Sequence, residues 1–138
     1  MLKRRTLAPN GWVAYVLLSL LFLAACGAPS YLTHFKATAD GLTIALEVTA
    51  SPKINTSEQF FVTLTDAQGQ PVEGADVYLD LTMPAMPMGT NRPIAEPQGA
   101  GRYLASSAYT MTGEWSITVF VEVAKVEHRA LFKLTVSE

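Results

Sequence analysis

From Leu42 onward the apolar residues recur at every second position, and that period constrains the fold more than any other feature of the chain. Leu42, Ile44, Leu46 and Val48 alternate with Thr43, Glu47 and Thr49. Phe60, Val62 and Leu64 repeat the pattern, as do Val77, Leu79 and Leu81, and then Ile117, Val119, Val121 and Val123. A two-residue period sets one side of an extended chain in a core and the other in water. A helix repeats at 3.6 residues and would scatter these side chains around its axis. Leu131 or Phe132 to Val136 closes the chain as a further strand, with Tyr31–Thr38 and Tyr103–Tyr109 as weaker ones. Turn-formers separate the runs at Asp40-Gly41, Asp66 to Pro71, Glu73-Gly74, Gly99-Ala100-Gly101 and Thr112-Gly113. About seven short strands with frequent turns predict one antiparallel β-sandwich of immunoglobulin-like type. Trp115, at the start of the longest run, is expected between the sheets. Pro84–Pro97, with prolines at 84, 87, 93 and 97, is the longest irregular stretch. It reads as a functional loop or a crossover.

The first 25 residues have a different character. Lys3, Arg4 and Arg5 precede an apolar run from Trp12 to Ala25 that only Ser19 interrupts. That run is shorter than the ~20 residues a membrane-crossing helix needs and suits a secretory signal peptide. It ends in Leu23-Ala24-Ala25-Cys26, which resembles the bacterial lipobox. The resemblance implies a diacylglyceryl group on the Cys26 sulfur and cleavage that leaves Cys26 as the new N-terminus. Two or three acyl chains hold a protein stably on a membrane, where one does so only marginally. The expected organisation is therefore a signal peptide over 1–25, a lipidated tether over 26–30 and a β-domain over 31–138. The expected location is the extracytoplasmic side of the cell membrane, lipid-anchored.

Charge narrows the function. The whole chain carries a formal −2, but without residues 1–25 the basic count falls from 10 to 7 against 12 acids, a balance of −5. An acidic domain without a Lys/Arg cluster is a poor partner for nucleic acid. Cys26 is the one cysteine, so no internal disulfide forms. Neither Gly-x-Ser-x-Gly nor His-Glu-x-x-His occurs, and no catalytic set emerges; the chain does not read as an enzyme. Asp76 and Asp80 share a strand face but sit about 13 Å apart, too far for a close carboxylate pair. His34 and His128 are the only histidines; His34 falls in the first candidate strand and His128 at the start of the last.

One constellation stands out. Met83, Met86 and Met88 lie in Met83-Pro84-Ala85-Met86-Pro87-Met88-Gly89, and Met111 lies in Tyr109-Thr110-Met111-Thr112-Gly113-Glu114-Trp115. Thioethers are soft ligands that select Cu(I), and Ag(I) with it. The same residues also fill irregular gaps in cores. Both readings stand at this point: a thioether metal site, or a cap over the end of the sandwich. If Pro84–Pro97 crosses the sandwich, the strands before Met83 and before Met111 finish at one end; if it is a hairpin, they finish at opposite ends.

The order of these features resembles the YtkA-like family, which is related to FixH-type domains. The resemblance runs through Gly41-Leu42-Thr43-Ile44, then Phe61 to Asp66, Gly69-Gln70-Pro71-Val72 and Gly74-Ala75-Asp76-Val77. It continues in the Met–Pro segment, Gly101-Arg102-Tyr103 and Met111-Thr112-Gly113-Glu114-Trp115. It implies a small, non-enzymatic β-sandwich outside a bacterial membrane. It also implies Cu(I) binding or transfer, with Met83, Met86, Met88 and Met111 as ligands and a copper-handling or oxidase-assembly protein as partner. Relatives often carry a histidine beside the Met segment, where this chain has Thr90 and Asn91. The alternative is a structural or protein-interaction module of the envelope with no metal.

Overall fold

The alternating runs fold as strands because each buries one side against the next. A computed structural model describes residues 31–86 and 89–138. The expected signal peptide, Cys26, the expected tether and Met88 lie outside the described residues. The strands are β1 (Leu32–Ala39), β2 (Leu42–Thr49), β3 (Ser57–Thr65), β4 (Asp76–Thr82), β5 (Ile94–Gly99), β6 (Arg102–Ala108), β7 (Gly113–Val123) and β8 (Val126–Val136). They join in the order β1-β2-β3-β6-β5-β4-β7-β8. Every neighbouring pair is antiparallel. The two outermost strands then approach each other, with the Phe35 and Phe132 rings 5.6 Å apart. The eight-stranded sheet thus nearly closes on itself as a barrel.

The inner faces are those the alternation marks. Leu42, Ile44, Leu46 and Val48 of β2, Phe60, Val62 and Leu64 of β3, and Val77, Leu79 and Leu81 of β4 are all buried. Trp115, Ile117, Val119 and Val121 of β7 complete the centre, each at 0% exposure. None of the described residues forms a helix long and apolar enough to cross a membrane.

Eight strands stand where about seven were expected. The additional one, β5, begins inside the Pro84–Pro97 stretch and runs on to Gly99. Its first residues pair with β4, at Tyr78↔Ile94 and Val77↔Ala95. Its last pair with β6, at Glu96↔Leu104 and Pro97↔Tyr103, where the register shifts between Pro97 and Gly99. Proline lacks an N–H and is tolerated in a sheet only at edges, first positions and irregularities. Pro93 precedes the strand and uses its carbonyl, which accepts from the Leu79 N–H at 3.0 Å. The stretch is therefore neither a crossover nor a simple hairpin loop. It returns as a strand, so the chain reverses twice and β4 and β6 run the same way.

That topology sorts the connections to two ends. The start of β1, the end of β4, the end of β6 and the start of β7 lie at one end, with Met83 and Met111. The Asp40-Gly41 and Ala124-Lys125 turns, the Gly99–Gly101 turn and the start of β4 lie at the other.

Candidate functional site

The methionine end is built from the last inward positions of its strands. Met83 continues the inward series Val77, Leu79, Leu81 one residue beyond β4, and it is half-buried against the core. Its Cε lies 3.0 Å from where a Cβ on Gly113 would stand, and Gly113 has φ 124°. A Cβ at 113 would sit tight against the Met83 methyl, and the positive φ would strain the backbone. Proline at 84 favours the turn that follows: the Met86 N–H donates to the Met83 carbonyl at 3.2 Å. Met86 is left 50% exposed. Met111 is half-buried against the core, and its carbonyl accepts the Trp115 indole N–H at 3.0 Å. Met83, Met86 and Met111 thus occupy one end of the fold.

Beneath them runs an aromatic chain. Trp115 meets Tyr109 edge-on with centroids 5.0 Å apart, and Tyr109 meets Phe60 at 6.0 Å. The Tyr109 hydroxyl is buried with no hydrogen-bond partner among the described residues. Burial raises its pKa above the ordinary tyrosine value, and the charge of Glu58 adds to the rise. Glu58 is buried on the inner face of β3, in phase with Phe60, Val62 and Leu64. That phase was visible in the sequence, although neither Glu58 nor Tyr109 was singled out there. Loops lace this end shut. The Asn55 N–H donates to the Tyr109 carbonyl at 2.7 Å, and the Ser137 N–H to the Pro52 carbonyl at 3.2 Å. The Ser107 hydroxyl bonds the Asn91 amide oxygen at 2.8 Å.

The other signature residues hold loops in place. Asp66 Oδ1 accepts from the backbone N–H groups of Gln68 and Gln70, at 2.9 and 2.8 Å, which fixes the turn that Gly69 permits. Gly101 has φ 71°, and a Cβ there would lie 2.7 Å from the Leu64 carbonyl oxygen. Two residues on, the Tyr103 hydroxyl donates to the Val72 carbonyl at 3.0 Å and accepts from the Ala75 N–H at 3.2 Å. Gly-x-Tyr is therefore one device, a close backbone approach followed by a phenol that ties down the same loop.

The two histidines stay apart in role. His34 faces outward on β1, with Nδ1 3.4 Å from Glu47. His128 faces inward at the far end, with Nδ1 3.6 Å from Asp40 and no hydrogen bond. Among the described residues no group of three or more His, Cys, Asp or Glu is placed to hold a metal. Thioethers aside, the methionine end offers one buried carboxylate and one buried phenol.

The span that contains these pieces matches a known family. The model of a family described as YtkA-like matches residues 36–120, from the first strand through most of β7. No curated protein and no solved structure matches the chain in the other two comparisons. The matched span covers well over half of the sequence and includes Gly-x-Tyr, the Met–Pro segment and Met-x-Gly-x-Trp, so the chain belongs to the YtkA-like family.

Proposed function

We propose that this protein is an interaction module of the bacterial cell envelope, anchored by lipid on Cys26 and facing outward, with its methionine end as a contact surface. The YtkA-like domain is non-catalytic. The observation that carries the proposal is the packing of the thioethers. Met83 lays its methyl against Gly113, Met111 rests on the core, and Met86 alone of these three is exposed. Side chains held this way serve as filling and as an adaptable apolar surface. In this reading the barrel-like sheet works as an immunoglobulin-like scaffold that presents one end.

The tether gives that end a direction. Residues 26–30 span at most about 18 Å when extended. β1 begins at Leu32, at the methionine end. A lipid on Cys26 therefore holds Met83, Met86 and Met111 toward the membrane, and a membrane-embedded protein is the fitting partner.

A photo-crosslinking residue in place of Met86, in the full chain in its native envelope, tests this. The expected result is a discrete adduct with a membrane protein, absent when the same residue replaces exposed Lys36 on β1. Equal adducts from both positions, or none from Met86, would contradict the contact surface.

A further inference from the structure

The outer face of β5-β4-β7-β8 carries two rows of side chains in cross-strand register, toward the end remote from the methionines. In the first row Tyr78 lies opposite both Ile94 and Phe120, and Phe120 lies opposite Arg129. The Tyr78 and Phe120 rings stack with centroids 4.7 Å apart and planes 5° apart, and Ile94 is 76% exposed. Two residues along each strand, Asp76 lies opposite Glu122, and Glu122 opposite Glu127. Continuing the β4–β5 register by one residue beyond Val77↔Ala95 sets Asp76 against Glu96, where the two strands part. Their parting opens a groove of about 720 Å³ whose lining includes Ala75, Asp76, Tyr78, Ile94, Glu96 and Pro97.

Like charges directly opposite one another destabilise a sheet. Three other surface carboxylates have cations beside them: Asp80 has Arg92, Glu47 has Arg102 and Glu114 has Lys133. Among the described residues no lysine or arginine pairs with Asp76, Glu96, Glu122 or Glu127. Arg92 also lines the groove but is held by Asp80 at 3.0 Å, so a mostly apolar groove bordered by an acidic row without ion-pair partners is complementary to one kind of occupant. We propose that this face docks an amphipathic segment of a partner protein, with basic residues along one side and apolar residues along the other. The two rows lie about 7 Å apart along the strands and the acidic one spans about 14 Å across them, which fits the two sides of such a segment. A metal ion is a poorer occupant, because no group of three carboxylates here is placed to hold one among the described residues. The position also suits the charge. With the tether at the methionine end, the acidic row points away from anionic headgroups, which would otherwise repel it.

This inference rests on the reading of the protein as an interaction module, but on a different face of it. Its test is a photo-crosslinking residue at Ile94 in the full chain in its native envelope, with the adduct peptide sequenced by mass spectrometry. The expected adduct joins a segment that carries lysine or arginine beside apolar residues. It falls when Asp76→Asn and Glu122→Gln are combined, and it is lost with Asp76→Lys and Glu122→Lys. Glu114→Lys, on the same outer face but near the methionine end, leaves it unchanged. The neutral pair removes repulsion and so keeps the fold at least as heat-stable, which separates loss of docking from loss of structure. An adduct that ignores these charges, or that joins lipid, an acidic segment or a second copy of the chain, overturns the proposal. No adduct at Ile94 alongside one at Met86 overturns this proposal and leaves the interaction reading standing; no adduct at either position overturns both.

Discussion

At the scale of single residues, Tyr109 shows how burial sets a pH response. Its phenol is buried and unpartnered among the described residues, and its pKa is raised by burial first and by Glu58 second. Below the ordinary tyrosine value of about 10 the group is neutral folded and unfolded alike. Above it the unfolded chain loses its proton first, so stability falls as pH rises, by up to about 1.4 kcal/mol per pH unit until the folded phenol also ionises. Tyr109→Phe should remove that slope in urea titrations at alkaline pH. At neutral pH it should be neutral or slightly stabilising, because a polar group without a partner is deleted along with its desolvation cost. A neutral-pH loss above about 1 kcal/mol would show that the hydroxyl has a partner. Gly101 makes the opposite case. Gly101→Ala places a Cβ against the Leu64 carbonyl at a positive φ. It should cost more than about 2 kcal/mol in the same titration, well above an ordinary surface substitution.

At the scale of elements, legibility followed the side-chain period. The strands β2, β4 and β7 were readable because their outward positions are mostly polar and their inward ones uniformly apolar. β5 was not, because its burial pattern shows one buried residue, Ala95, among exposed ones, and it shares its pairing between two neighbours. The start of β8 was hidden for another reason. The β7–β8 turn uses Ala124 and Lys125 at φ 51° and 65°, a left-handed pair that neither residue type announces. By contrast Asp40-Gly41, at φ 50° and 81°, was plain in the sequence. Replacing Ala124 with Asn and Lys125 with Gly should therefore stabilise the hairpin, by roughly 0.5–1 kcal/mol or more. Thermal unfolding followed by Trp115 fluorescence checks this, and an unchanged or lower midpoint would mean the present pair is not strained. The methionine end was half legible. The sequence named Met83, Met86, Met88 and Met111, but that Met83, Met86 and Met111 share one end depends on β5, and the acidic row depends on register, which no single strand reveals.

At the scale of the whole molecule, a sheet that nearly closes leaves two ends to present, and the chain treats them differently. One holds thioethers, aromatics and the start of β1; the other borders the acidic row. The proposed anchor makes the first end membrane-facing. Cys26→Ser should release the protein from membranes or leave it as unprocessed precursor, without changing the thermal midpoint of the β-domain. Lipid labelling that persists in that variant would remove the anchor from the account. The role proposed for the methionines is packing and contact. Anaerobic Cu(I) titration of the Cys26→Ser chain, which carries no thiol, against a competing chelator separates that role from metal binding. The chelator should keep the copper, and Met83→Leu, Met86→Leu and Met111→Leu together should change nothing in the titration. Uptake of one equivalent of Cu(I) by the protein, lost in that triple variant, would contradict it and make the methionine end a copper site.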